Sequence, residues 1–210
     1  MIRDPNASDF TLGIVGAGIM GRGIAQIAAE AGMIVRLADA RREAVDEAVA
    51  ATAAMIRRGA DKGRLTPAAA EAACARLIAT DAGPDRGWDD LADCDVVIEA
   101  VVERMEVKHA VLTGLEAVVD PDCILATNTS SLSVTGFAAA AQRPERVAGF
   151  HFFNPVPLMK VVEVIGGVLT APAVTDRLVA VARRMGHHPV VASDTPGFLV
   201  NHAGRAYGTE

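Results

Sequence analysis

Three groups of residues in this 210-residue chain have types and spacing suited to chemistry. The first is His151, inside the aromatic run GFHFFNPVP, with Glu163 twelve positions later inside the apolar run VVEVI. Histidine titrates near neutrality, so one held in apolar surroundings can act as a general base. A carboxylate beside it could fix the tautomer and stabilise the imidazolium. Removing a hydride from an alcohol also requires removal of the hydroxyl proton, and such a pair would supply the base. The plainer alternative stays open at this point, because a histidine in a strand is often a satisfied structural residue.

The second group is Gly16-Ala17-Gly18-Ile19-Met20-Gly21, a GxGxxG pattern that follows one apolar run and opens the next periodic segment. In a dinucleotide-binding turn the first glycine allows the tight bend, the second lets backbone approach a pyrophosphate, and the third lets helix pack on strand. The phosphates then meet free N–H groups at the positive end of the helix dipole. Asp39 ends the next strand, 18 residues past Gly21, where a carboxylate can accept hydrogen bonds from ribose hydroxyls and repel a 2′-phosphate. That favours NAD over NADP. Arg41 and Arg42 pull the other way, since an arginine there could hold a 2′-phosphate. A structural turn with a surface aspartate is the alternative reading.

The third group is Asn128-Thr129-Ser130-Ser131, directly after a predicted strand. Amide and hydroxyl groups there sit at a strand's carboxyl end, where open α/β sheets bind ligands. Ser130 or Ser131 could instead simply cap the helix that follows.

These groups need a scaffold that brings them together. Apolar runs at residues 11–16, 33–38, 95–100 and 123–126 read as strands, alternating with helical patterns at 22–31, 41–59, 66 onward, 107–119 and 131–141. That rhythm predicts a doubly wound, mostly parallel Rossmann-like sheet. Two further strands, 146–153 and 160–165, flank a proline-bracketed loop and predict a short antiparallel extension. A helix at 172–185, a strand near 190–192 and the turn Asp194-Thr195-Pro196-Gly197 follow. His187 and His188 follow Gly186 at a helix end, where they can meet free carbonyls. His109 reads as a solvated helix residue, and His202 lies near the end of the chain.

Composition bounds the rest. A chain 51% hydrophobic and 22% charged, with formal net charge -6, is ordinary globular material without the basic surplus of a nucleic-acid binder. Cys74, Cys94 and Cys123 have no metal-ligand spacing, so no metal site is expected; they suit reduced, buried thiols of a cytoplasmic protein. The segment MIRDPNASDF lacks a signal-peptide run, and no apolar run is long enough to span a membrane.

The blocks IVGAGIMGRGIA, VIEAVVERMEVK, TNTSSL, GFHFFNPVPLMKVVEV and DTPGFLVN, in that order, resemble the L-3-hydroxyacyl-CoA dehydrogenases from about residue 11 to residue 202. The HFFNPVP and DTPGFLVN blocks are the specific ones. The resemblance implies an NAD-binding domain over residues 1–195, with residues 196–210 beginning the passage into a C-terminal helical domain that is apparently absent. It implies NAD as cofactor, an acyl-CoA thioester as substrate and a homodimer formed through the helical domain. His151 would take the 3-hydroxyl proton, with Glu163 as its partner. Ser130 and Asn201 would position substrate, and Asn154 would shape the turn beside the base. Gly16, Gly18, Ile19, Met20, Gly21, Asp39 and Asn128 would hold the cofactor, with Glu103 and Lys108 near its nicotinamide-side ribose.

Under this resemblance the cluster Arg57, Arg58, Lys62 and Arg64 could meet CoA phosphates, or simply match the dipole of a solvated helix end. Two other functions stay in view: a dehydrogenase of the same architecture acting on a non-CoA hydroxy acid or sugar acid, and a nucleotide-binding module without chemistry. The presence of Ser130, His151, Glu163 and Asn201 together argues against the second.

Overall fold

The computed structural model describes residues 3–195 and 197–199. Expectations placed on Asn201 and His202, and on most of the segment 196–210, therefore fall outside the described residues.

Strand β1 (Thr11–Val15) leads through the glycine turn into helix α1 (Ile19–Glu30) and strand β2 (Ile34–Ala38). Helices α2 (Arg42–Asp61) and α3 (Pro67–Cys74) follow, then strand β3 (Leu77–Ala79). Strand β4 (Val96–Glu99), helix α4 (Met105–Glu116), strand β5 (Ile124–Thr127) and helix α5 (Val134–Ala138) form the second winding. The chain continues through β6 (Val147–Phe152), β7 (Val161–Gly166), α6 (Pro172–Arg184) and β8 (His188–Ser193).

The eight strands make one sheet in the order β3-β2-β1-β4-β5-β6-β7-β8. Pairing is parallel except between β6 and β7, and β8 again runs parallel to β7. The predicted doubly wound sheet with an antiparallel extension is what forms. The winding reverses between β1 and β4, which opens a crevice at their carboxyl ends.

Both sheet faces are covered, so the central strands are buried throughout. The period of two sends Leu12, Ile14, Phe150, Phe152, Val162 and Val164 into a core beneath α1, α2 and α6. Val15, Val97, Leu125 and Val147 point the other way, to Leu112, Leu115 and Phe137 of α4 and α5. Cys94 and Cys123 are buried in this second core, and burial pushes both thiols up, Cys123 to about 12, so neither supplies a thiolate.

Local differences from the sequence reading have physical causes. Helix α1 starts at Ile19 rather than residue 22, because the extended Gly18 is its N-cap and the third glycine lies in its first turn. Strand β3 was not expected: three residues are too few to show alternation, and only pairing to β2 defines it. Helix α5 is far shorter than 131–141. Its cap is Ser133, whose hydroxyl accepts the Gly136 N–H, so neither Ser130 nor Ser131 is the cap. The Thr129 hydroxyl instead accepts the N–H groups of Ser131 and Leu132.

Candidate active site

The site begins with a register. Strands β6 and β7 pair so that His151 lies directly opposite Glu163. Directly opposed residues of an antiparallel pair share a face, with side chains close together. His151 Nδ1 is 2.7 Å from Glu163 Oε2, with the histidine 5% exposed and the glutamate 0%. The other carboxylate oxygen, Oε1, accepts the Leu199 N–H at 2.9 Å. Phe153 packs on the imidazole at 4.4 Å between centroids and Phe198 at 5.9 Å. The aromatic run thus makes a dry seat for a histidine whose Nδ1 side is held by a carboxylate.

A cleft of about 330 Å³ opens in front of His151. Its wall gathers Met20 from the glycine turn, Glu103 and Lys108 from around the start of α4, Asn128 and Ser130 after β5, and Asn154 after β6. Seven of the residues singled out in the sequence meet there although they are spread over 135 positions of the chain, from Met20 to Asn154. Asn128 uses its carbonyl oxygen to accept the Phe152 N–H at 2.9 Å, which ties the β5 end to the strand bearing His151.

Glu103 closes the cleft's far side. Its Oε1 accepts bonds from the Thr129 hydroxyl and from the Ser130 N–H at 3.0 Å, and its Oε2 lies 3.1 Å from Lys108 Nζ. Burial pushes this carboxyl up, but the bonds from Thr129, Lys108 and Ser130 outweigh it, so its titration is lowered and it stays ionised. Lys108 is in turn held by Glu99 at 2.7 Å, and Glu99 also accepts the Thr127 hydroxyl at 2.8 Å. Glu99 and Thr127 were missed in the sequence, although Glu99 in DVVIEA carries the signal that flagged Glu163, a carboxylate inside an apolar strand.

The glycine turn fits a dinucleotide. Gly16 has φ 115°, and a Cβ there would lie 2.5 Å from the carbonyl of Ala100, the residue just after neighbouring β4. A Cβ on Gly21 would lie 1.8 Å from the Gly16 carbonyl, whereas one on Gly18 would meet nothing within 4 Å. Gly18 thus faces open space at the start of α1, where no side chain caps the helix. Asp39 stands at the end of β2 and accepts the Ala17 N–H at 2.8 Å and the Arg41 N–H at 3.1 Å. Its carboxylate is therefore fixed beside the turn. Arg42 is engaged with Thr80 and Asp46.

Other residues singled out in the sequence take the following places. Ile19 is 70% exposed and lines not the cleft but a neighbouring groove of about 460 Å³ between α1, α2 and the turn at 154–157. The two share Asn154, and Arg22 and Arg58 stand on the groove's wall. Gly23, unremarked in the sequence, lets α1 meet that turn, since a Cβ there would lie 2.8 Å from Val156. Arg57 is engaged with Glu71 through two bonds of 2.7 and 2.9 Å. His109 is not simply solvated: it is half-buried, with Nε2 2.9 Å from the Gly136 carbonyl. His187 meets the helix-end carbonyl of Met185 as expected, and also that of Val156, each at 3.1 Å.

Fold and site together define a dinucleotide-binding α/β domain with a buried histidine–carboxylate pair at the mouth of its crevice. Residues 11–195 match the family model described as 3-hydroxyacyl-CoA dehydrogenase, NAD binding domain. The chain belongs to that family, and NAD is the cofactor of this domain. It is 43% identical over 201 residues to the 3-hydroxyadipyl-CoA dehydrogenase of Escherichia coli K12, covering 95% of this chain and 41% of that protein. It is 42% identical over 190 residues to the 3-hydroxybutyryl-CoA dehydrogenase of Bradyrhizobium diazoefficiens, covering 90% of this chain and 63% of the relative. Among solved structures, the 3-hydroxybutyryl-CoA dehydrogenase of Escherichia coli K12 superposes with a TM-score of 0.89 at 42% identity, over 95% of this chain and 41% of that one. The chain thus spans less than two thirds of these proteins' lengths.

Proposed function

We propose that this domain serves the NAD-dependent, reversible oxidation of (S)-3-hydroxyacyl-CoA to 3-oxoacyl-CoA. The observation that carries the proposal is the 2.7 Å contact between His151 and Glu163 at the cleft that Met20 of the glycine turn also lines. When bound, NAD supplies a hydride acceptor in that cleft. His151 takes the 3-hydroxyl proton through Nε2, since Nδ1 faces Glu163, and Glu163 stabilises the imidazolium that results. In the opposite direction the imidazolium returns its proton to the 3-keto oxygen.

Ser130 and Asn154 orient the reacting end of the substrate from the cleft wall, with Asn201 as a further positioning group. Gly16, Gly18 and Gly21 with Met20 cradle the pyrophosphate, Asp39 takes the adenosine ribose, and Glu103, Lys108 and Asn128 hold the nicotinamide side. The groove that continues from Asn154 past Arg22 and Arg58 suits the anionic remainder of a CoA thioester. The reading includes a homodimer, a cytoplasmic location and no nucleic-acid or membrane partner. Among the described residues no helix is long and apolar enough to cross a membrane. Gel filtration tests the dimer.

The test is NADH oxidation with acetoacetyl-CoA, beside His151→Ala. Turnover abolished by that substitution supports the reaction. NADH binding without turnover, both here and in a chain extended to the relatives' length, rules out this thioester and favours a hydroxy acid without CoA.

A further inference from the structure

Past β8 the chain does not simply leave the sheet. Asp194 turns back to the first turn of α5, where its Oδ1 accepts the Val134 N–H at 2.9 Å. Its Oδ2 accepts the Thr135 N–H and the Ser133 hydroxyl, both at 2.8 Å. These three bonds link residues about sixty positions apart. A turn follows at once. The Phe198 N–H donates to the Thr195 carbonyl at 2.9 Å, and Gly197 has φ 80°. Proline before glycine suits such a turn, since the third position needs positive φ. Phe198 itself has φ 49°, a conformation that a bulky residue keeps only when its surroundings over-determine it. The surroundings here are Val134, the first residue of α5, and Ile165 of β7, which bury the ring to 2% exposure. The next residue, Leu199, donates its N–H to Glu163 Oε1, while Oε2 of the same carboxylate faces His151.

We propose that Asp194 is a positioning residue for the His151–Glu163 pair. By pinning the chain to α5 it sets the turn that aims the Leu199 N–H at Glu163 and seats the Phe198 ring beside the imidazole. The anchor is indirect: Asp194 touches neither substrate nor cofactor in this assignment. The carboxylate is thereby held at both oxygens, one by the imidazole and one by backbone that Asp194 anchors. The inference rests on the proposed role of His151 as base, and it explains why an aspartate opens DTPGFLVN, the block whose middle reaches the catalytic pair.

The experiment compares Asp194→Ala and Asp194→Asn with the unsubstituted chain in complex with NADH. The far-downfield proton NMR signal of the His151 Nδ1–H is read first, identified by its absence in His151→Ala. Asp194→Ala is expected to move or broaden that signal, and Asp194→Asn, which keeps one acceptor, to do so less. In a chain that turns over acetoacetyl-CoA, Asp194→Ala is expected to lower kcat by about tenfold or more while KM for NADH stays within about twofold. A role limited to capping α5 would lower the melting temperature and leave the signal and kcat as they were, and that result overturns the proposal. Should Asp194→Ala not fold, Asp194→Asn and Ser133→Ala decide it by the same readouts. The NMR signal is read without turnover, so loss of the proposed reaction and loss of this inference are told apart.

Discussion

Lys108 and Glu99 form an ion pair inside the carboxyl end of the sheet, with Nζ 2.7 and 2.9 Å from the two carboxylate oxygens and both side chains 1% exposed. Removing one partner of such a pair strands the other charge in the interior, at a cost of about 3–5 kcal/mol. Lys108→Met should therefore lower the unfolding free energy by about that amount in urea titrations. It should also weaken NADH binding, because Glu103 loses one of the groups that fix it. A loss below about 1 kcal/mol would mean water reaches the pair, against its burial.

The glycines of the turn should respond differently to the same methyl group. Gly21→Ala must displace the Gly16 carbonyl, so it should destabilise the fold measurably. Gly18→Ala meets open space. It should leave the melting temperature unchanged and still reduce NADH affinity at least about tenfold, because the methyl group enters the room left for phosphate. Fluorescence titration with NADH beside thermal unfolding separates the two effects.

Asp39 has two tasks, and one substitution can divide them. Asp39→Asn keeps an amide oxygen that can accept the Ala17 N–H but removes the negative charge. The turn should survive and NADH binding should fall only a few-fold, while discrimination against NADPH should shrink by about tenfold, the scale of losing one charge repulsion. Steady-state titrations with both cofactors measure the ratio. Unchanged discrimination would move the choice of cofactor away from Asp39.

Glu163→Gln keeps the shape at the back of His151 and removes the charge that would stabilise an imidazolium. Turnover should drop by about 10²–10⁴-fold, with little change in NADH affinity. Equal losses in both would mean that Glu163 merely supports the fold.

Acid should loosen the chain through two named carboxyls. Burial pushes Asp194 up from its ordinary 3.8, but the bonds from Thr135, Val134 and Ser133 together hold it lower. Glu103 is likewise held below its ordinary 4.5 despite burial. A carboxyl titrating lower when folded adds stability that is complete above its unfolded value and lost as pH falls through the folded one. The stability gradient of the chain below about pH 4 should therefore flatten in Asp194→Ala, as followed by urea unfolding at stepped pH.

How far the sequence carries differs along the chain. Long, strongly patterned elements such as the first strand, the helix at 41–59 and the pair of strands around NPVP were legible, because each displays its own period. The element β3 and the true length of α5 were not. The first exists only by pairing with β2, and the second begins late because the Thr129 and Ser133 hydroxyls divert the backbone before it. The roles of Glu99 and Asp194 were hidden for a related reason, since each depends on partners that only folding supplies.

The sequence by itself determined the two halves of the site: a glycine turn between strand and helix followed by an acidic residue, and a histidine and a glutamate set in apolar strands. These are local facts, written in residue type and spacing. Only the tertiary structure decided that the halves face one cleft. That follows from the strand order, which reverses between β1 and β4 and so leaves a crevice at the sheet's carboxyl edge. It also decided that His151 and Glu163 touch, because a shift of one residue in the β6–β7 register would turn them to opposite faces. Register is a property of two strands packed on a common core, and no single segment contains it.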